Sequence, residues 1–359
     1  MFENYRNTII SFSFLIVFTS FSLVSFAQFN NSWINYNQQY YKFKIAETGI
    51  FRIDSATLFN VGIPLSTINP QNLQIFARGQ EIPIYIEGEN DGIFNTSDYI
   101  EFYAQHNDGW LDEQLYGSAV NHPNPYYSLT TDTISYFLTW NNSTSNLRFT
   151  VETDTSFSSY TPIDFVLKEN IEIYTQGNGT VNPYYDGETI SVGNSSVSLF
   201  GYASTEGWFD SPYNLGGSKT KNINTQNAYL AGSDAKLQAV VTGQSNDANM
   251  STSINQHLRV SLGSTVWDTT FNGYKKIDVN QNIPLNQLGT NTTSVTFSSI
   301  NSLGSGVARQ AIAYLKITYP HTLDFEGATS FSSFFVDDNT SQTKSYLNFN
   351  NLNNTGNIL

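Results

Sequence analysis

From Tyr40 onward, apolar and polar residues alternate with a period of two in short runs separated by turn residues, a pattern that predicts strands. Tyr41, Phe43 and Ile45 share one face, Thr48-Gly49 makes a turn and Ile50 to Ile53 follows, so residues 40–53 read as a strand pair. Asp54 or Ser55 is placed to cap a short helix over Ala56–Asn60, which Gly62 and Pro64 end. Asn69-Pro70 is another turn. Leu73 and Ile75, then Ile82, Ile84 and Ile86, alternate across Arg78-Gly79-Gln80 and predict a hairpin. Tyr99–Tyr103 and Ile134–Trp140 are further strands. Residues 28–160 are therefore expected to form a mostly β domain with one short helix.

Residues 152–164 are polar and suit a boundary. A Gly- and Asn-rich region follows, carrying Tyr184-Tyr185 and Gly207-Trp208-Phe209. The alternation then sharpens. Leu237, Ala239 and Val241 form one strand face; Leu258, Val260 and Leu262 form another, with His257, Arg259 and Ser261 opposite. Val295 and Phe297 follow, and Ala311, Ala313, Leu315, Ile317 and Tyr319 complete the set. Short strands separated by turn clusters predict an antiparallel β-sandwich over residues 165–325. The stretch Ser345–Leu359 is strand-like and stops on an apolar pair, so residues 326–359 are expected to begin a further, truncated domain.

The N-terminus changes the compartment. Arg6 precedes an apolar run from Ile9 to Phe26, and Ser25-Phe26-Ala27 offers small residues where a signal peptidase reads. Residues 1–27 are expected to be a signal peptide, with no bilayer insertion after cleavage. An uncleaved anchor is the competing reading, since about 18 apolar residues is borderline for a span. The 15% aromatic content predicts a folded chain. A formal net charge of −14 with no basic stripe excludes a nucleic-acid partner and an anionic lipid surface. With no cysteine there is no disulfide, thiolate metal site or thiol nucleophile, so core size, helped by Ca²⁺, is left to hold an exported fold together.

The sharpest candidate site is the segment from Glu87 to Asp98. On a twelve-residue calcium loop, oxygen donors fall at Glu87, Glu89, Asp91, Asn95 and Asp98, a carbonyl at Ile93, and glycine at the sharp sixth position, Gly92. The first position is Glu rather than Asp and no flanking helices are evident. An Asp-Gly turn between strands, with solvated acids, fits the same residues. Trp208 and Trp267, with Tyr184, Tyr185 and Tyr274, could stack on apolar sugar faces; core packing is the alternative. His106, His122, His257 and His321 lack ligand spacing and are expected on the surface. Gly304-Ser305-Gly306 is a flexible turn and not a nucleophile elbow, so no catalytic residue is assigned. Asp54-Ser55-Ala56 and Asp132-Thr133-Ile134 resemble bacterial O-glycosylation sites, with ordinary surface loops as the alternative.

The runs W-I-N-Y-N-Q-Q-Y-Y-K-F-K-I-A-E-T-G-I-F-R-I-D from Trp33, and E-G-E-N-D-G-I-F-N-T-S-D-Y-I-E-F-Y from Glu87, resemble the front of the gingipain-type cysteine peptidases, in particular the sortase kind of the type IX secretion system. H-L-R-V-S-L-G-S-T-V-W-D-T-T-F-N-G-Y, I-P-L-N-Q-L-G-T-N and A-Y-L-K-I-T-Y-P resemble the galactose-binding-like jelly roll that precedes the peptidase domain there. The resemblance covers most of residues 33–325. It implies a parent that removes sorting signals at the cell surface with a Cys–His pair further downstream, matched by no position here. The partners it implies are that downstream peptidase domain and type IX secretion components, and the location is the outer membrane surface or beyond. A secreted carbohydrate-binding or adhesive β-sandwich protein is the alternative from another class.

Overall fold

The computed structural model describes residues 31–150, 153, 156, 159–175, 184–192, 195–198, 201–250, 253–328, 333–337 and 344–353; the expected signal peptide lies outside them. The chain is mostly β and divides into two compact units. The first holds Phe51–Phe102, Ser135–Phe149 and residues up to Lys44; the second holds Ile45–Ile50, Tyr103–Ile134 and the chain from Thr150. Residues 103–134, grouped by sequence with the N-terminal domain, thus cluster with the sandwich.

In the first unit, β1 (Tyr41–Ile45) and β2 (Gly49–Asp54) do not form the expected pair. They join different sheets after β3 (Leu73–Ala77), β4 (Gln80–Ile82), β5 (Ile84–Ile86), β6 (Tyr99–Ala104) and β7 (Ile134–Trp140) are in place: one of order β1-β7-β3-β4, the other β2-β6-β5. Between β2 and β3, α1 (Ser55–Asn60) is capped by Asp54, whose carboxylate accepts the Thr57 N–H at 2.7 Å, and Gly62 leaves it with φ +81°. The β3–β4 hairpin turns on Arg78 and Gly79, both left-handed, which matches the twist of the flanking strands. The run Ile82–Ile86, read as one strand, is two. Ile82 pairs with Ile75 and Ile84 with Phe102, and Pro83 between them has no N–H for either ladder. Leu73, Ile75, Ile84, Ile100 and Phe102 are fully buried and form the core of this unit.

The second unit contains β8 (Val166–Ile173), β9 (Tyr184–Asp186), β10 (Thr189–Val192), β11 (Ser195–Ser198), β12 (Glu206–Trp208), β13 (Tyr213–Asn214), β14 (Ser218–Asn224), β15 (Ala235–Gly243), β16 (Gln256–Leu262), β17 (Thr265–Phe271), β18 (Lys276–Ile283), β19 (Thr292–Ser299), β20 (Arg309–His321), β21 (Asp324–Ala328) and β22 (Asn350–Leu352). Strand β20 pairs with β15 on one side and with both β8 and β13 on the other, while β18 extends beyond β15. The facing sheet has the order β14-β19-β16-β17. Both sheets are antiparallel, and their facing rows, including Leu237, Val241, Leu258, Val260, Val295, Phe297, Leu315 and Ile317, make one core. This is the expected antiparallel sandwich.

One face assignment changes. Ala311 and Ala313 do not share the inner row with Leu315, Ile317 and Tyr319. The register steps from Val240–Tyr314 to Val241–Ile312, so a bulge at Ala313 shifts the parity. Ile312 faces the sandwich core, whereas Ala311, Ala313 and Tyr314 pack with Val240 and Phe209 on the other face, beside Tyr126, Ile171 and Tyr185. In the stretch expected to begin a further domain, β21 and β22 form a parallel pair.

Replacing fully buried Phe297 by Ala removes a ring from the centre of the sandwich and should cost about 3–5 kcal/mol. Thr270→Ala on the exposed face of β17 should stay within about 0.5 kcal/mol. Urea denaturation of the two variants beside the parent checks the contrast.

Candidate functional site

The loop from Glu87 to Asp98 opens on Gly88 and closes its single 3₁₀ turn on Gly92, both left-handed. A Cβ on Gly88 would stand 2.5 Å from Asp98 Oδ1, so the backbone is pressed onto that carboxylate. Asp98 is buried and accepts the Asn95 N–H at 2.7 Å. Asp91 accepts the Ile93 N–H and the Asn95 side-chain amide, each at 2.9 Å. Glu87 accepts the Tyr85 hydroxyl. Glu89 pairs at 2.8 Å with Arg148, whose guanidinium also donates to the carbonyls of Pro70, Gln71 and Leu73. A guanidinium therefore already sits on one of the expected ligands, and the amide of Asn95 presents its donor to Asp91. Among the described residues no group of three or more His, Asp or Glu side chains assembles as a metal site. The residues present do not fit the Ca²⁺ cage that their spacing suggests. They build an Asx-type turn cross-tied by Arg148.

The aromatic candidates separate. Trp267 on β17 is half-buried opposite Val260 and packs against the sandwich core, which accounts for it as a core residue. Tyr274 bonds Thr189 at 2.9 Å. Tyr185 lies beside Phe209, with the Arg309 guanidinium 5.4 Å from its ring. Only Trp208 and Tyr184 come together, paired across β12 and β9 with their rings edge to face at 5.1 Å.

Around them stand residues that sequence reasoning missed. Glu206 accepts the Tyr184 hydroxyl at 2.7 Å through Oε1, and its carbonyl accepts the Tyr116 hydroxyl at 2.9 Å. Tyr202, 40% exposed, meets Tyr116 edge to face at 5.6 Å. The Trp208 indole N–H donates to Leu129 O at 3.2 Å. The result is a half-exposed patch of Tyr184, Tyr202 and Trp208 around one glutamate, with an apolar ring face and polar groups of both kinds. Tyr116 and Leu129 come from the irregular segment 103–134, whose lack of periodicity hid the connection; the triplet Glu206-Gly207-Trp208 was the available signal.

The histidines divide as well. His106 is held by the Thr48 hydroxyl at 2.7 Å and Tyr126 O at 3.1 Å. His257 links Ser302 at 2.7 Å to Asp268 at 3.2 Å on the outer face of β16, and Arg259 clamps that Asp268 with two hydrogen bonds of 2.8 and 3.0 Å. His257 and Arg259 therefore share one carboxylate, and the line is a hydrogen-bond chain on the strand's outer face. His122 and His321, expected on the surface, are both 2% exposed. His122 stacks on Tyr116 with ring centroids 4.9 Å apart, and its Nδ1 has no hydrogen-bond partner among the described residues. Ser55 of the first glycosylation-like triplet is buried, its hydroxyl donating to Thr96 O at 2.7 Å.

No protein-family model and no curated protein matches the chain. Among solved structures, dimeric latent PorU from Porphyromonas gingivalis is similar at 14% identity with a TM-score of 0.45, over 81% of this chain and 25% of that one. The CBM36-1 domain of a multidomain xylanase from the hindgut metagenome of Trinervitermes trinervoides aligns at 18% identity and a TM-score of 0.21, over 42% of this chain and 96% of that domain. TmCBM61 in complex with β-1,4-galactotriose aligns at 13% identity and 0.16, over 29% and 67%. The chain spans about a quarter of the length of the PorU chain.

Burial pushes the His122 imidazole below its ordinary value, against the opposing pull of Asp112. A histidine depressed in the folded state binds its proton more readily when unfolded. Its contribution to stability is therefore complete above the unfolded value of about 6.5 and is lost as pH falls through the folded one. Stability measured by urea denaturation from pH 8 to 5 should decline below about pH 6.5, and His122→Phe should flatten that part of the curve.

Proposed function

We propose that this chain is the non-catalytic front portion of an exported, gingipain-like cysteine peptidase of the type IX secretion system, acting at the cell surface through a downstream domain that carries the Cys–His pair. The observation that carries the reading is the aromatic and glycine pattern of residues 33–103, followed by jelly-roll runs, in a chain with no cysteine. A cysteine peptidase module without a thiol supplies scaffold, not chemistry. The mostly β architecture and the sandwich at residues 166–321 fit that role. Among the described residues no helix is long and apolar enough to cross a membrane. The partners in this reading are the peptidase domain and other secretion components.

A second reading, a secreted carbohydrate-binding or adhesive module, draws on one feature: the half-exposed Trp208, Tyr184 and Tyr202 rings around Glu206 suit stacking on a sugar and bonding its hydroxyls. The two readings separate in one experiment on cells that produce the protein. An antibody against residues 33–328 should detect an envelope polypeptide larger than this chain that is labelled by a thiol-directed peptidase probe. An unlabelled species of this chain's own mass, whose glycan binding disappears in Trp208→Ala, would overturn the peptidase reading in favour of the adhesive one.

A further inference from the structure

Strand β14 lies at the edge of its sheet, and its side chains alternate: Ser218, Thr220, Asn222 and Asn224 are exposed, while Lys219 and Lys221 fall in the same row as buried Ile223. Two lysines in a row that leads into a core need a reason. Both ammonium groups reach one oxygen, Asp210 Oδ2, Lys219 at 3.1 Å and Lys221 at 2.5 Å. Lys219 also donates to the Ser211 hydroxyl. The other Asp210 oxygen accepts the Ser211 N–H at 2.8 Å. Lys221 stands over the Tyr174 ring, 4.4 Å from its centroid. Asp210 is 6% exposed, while the lysine side chains keep 23% and 21% of their surface in contact with water.

This cluster is unbalanced in charge and in hydrogen bonding. Two cations are in direct ion-pair contact with a single carboxylate, while the exposed Glu172 acts on Tyr174 without pairing with either lysine. At contact distance one positive charge is therefore unmatched in a half-buried setting where unpaired charge is costly. Each ammonium has three N–H groups, of which Lys219 uses two and Lys221 one. The hydroxyls of Tyr174 and Tyr213, residues that are 9% and 4% exposed, have no partner among the described residues. Burial, and after it the Asp210 carboxylate, push both phenols up, so they remain protonated donors. The cluster therefore holds a surplus of donors around one acceptor that is already shared. Inward lysines do protect a sheet edge from pairing, but edge protection calls neither for a shared buried carboxylate nor for two buried phenols without partners.

We propose that Lys219 and Lys221, with Tyr174 beneath Lys221 and Tyr213 within the field of Asp210, form a binding site for an oxyanion, either free inorganic phosphate or a carboxylate presented by a bound polypeptide. One such group cancels the residual charge and accepts the idle donors, with Asp210 holding the two ammonium groups in position. The site stands independently of the peptidase and adhesive readings.

The test uses the full chain with ¹⁵N-labelled lysine, titrated with sodium phosphate and separately with sodium acetate, chloride keeping the ionic strength constant. Saturating shifts at Lys219 and Lys221 are expected, weakened about tenfold by Lys219→Met or Lys221→Met, since a charge-assisted hydrogen bond is lost. Tyr213→Phe keeps the ring in the core and should weaken binding about threefold, which keeps the test open should a lysine variant fail to fold. Saturation by phosphate alone points to the free ion, and saturation by acetate points to a polypeptide carboxylate. Linear shifts that match those of chloride, or saturation unchanged in the lysine variants and in Tyr213→Phe, would overturn the proposal.

Discussion

The second unit depends on covering β20 on both faces. A strand buried on one side can alternate, but β20 is buried without interruption from Gln310 to Leu315. Its inner residues Ile312, Leu315 and Ile317 face the four-stranded sheet, and its outer residues Ala311, Ala313 and Tyr314 need a second cover. Phe209, Tyr126 and Tyr185 supply it. The bulge opposite Val240 and Val241 lets one strand serve two apolar layers whose residues are out of phase.

That cover also positions both candidate sites of this unit. Phe209 is flanked by Trp208 on one side and Asp210 on the other, and the Asp210 N–H is tied to Ile312 O at 2.8 Å. Burying Phe209 against β20 therefore fixes where the Trp208 patch and the Asp210 carboxylate stand. Tyr126 brings with it the segment that contributes Tyr116 and Leu129 to the aromatic patch. A long irregular segment is ordered here because its aromatic residues are buried and its polar groups bonded.

The sequence was most legible where apolar residues recur at every second position, whether the residues between them face solvent, as in β1, or are buried, as Gln74 in β3 and Glu101 in β6 are. Strands β1, β3, β6, β7, β16 and the second half of β20 follow from alternation alone, and a cap at Asp54 or Ser55 follows from the residue types before the short helix, with the structure assigning it to Asp54. It was least legible where another force decides. Strand β14 carries lysines on its inner row and β8 is only partly buried, so neither shows a clean period. Pro83 marked the break between β4 and β5, yet three isoleucines at a spacing of two outweighed it. The spacing of acids from Glu87 to Asp98 suggested a metal cage because sequence cannot show that Arg148 reaches Glu89 from 59 residues away. Trp208 could be named as an aromatic candidate with Glu206 two residues before it on the same strand, whereas Tyr184 and Tyr116 become neighbours only through strand pairing and the covering segment.

Native-state hydrogen exchange tests the double burial of β20 most directly. The account predicts that the amides of Ile312, Leu315 and Ile317 exchange slowest, together with their β15 partners Leu237, Ala239 and Val241, and that Phe209→Ala speeds this group as one. Exchange of these amides as fast as those of the edge strands β14 and β17, or a Phe209→Ala variant that leaves their protection unchanged, would contradict it.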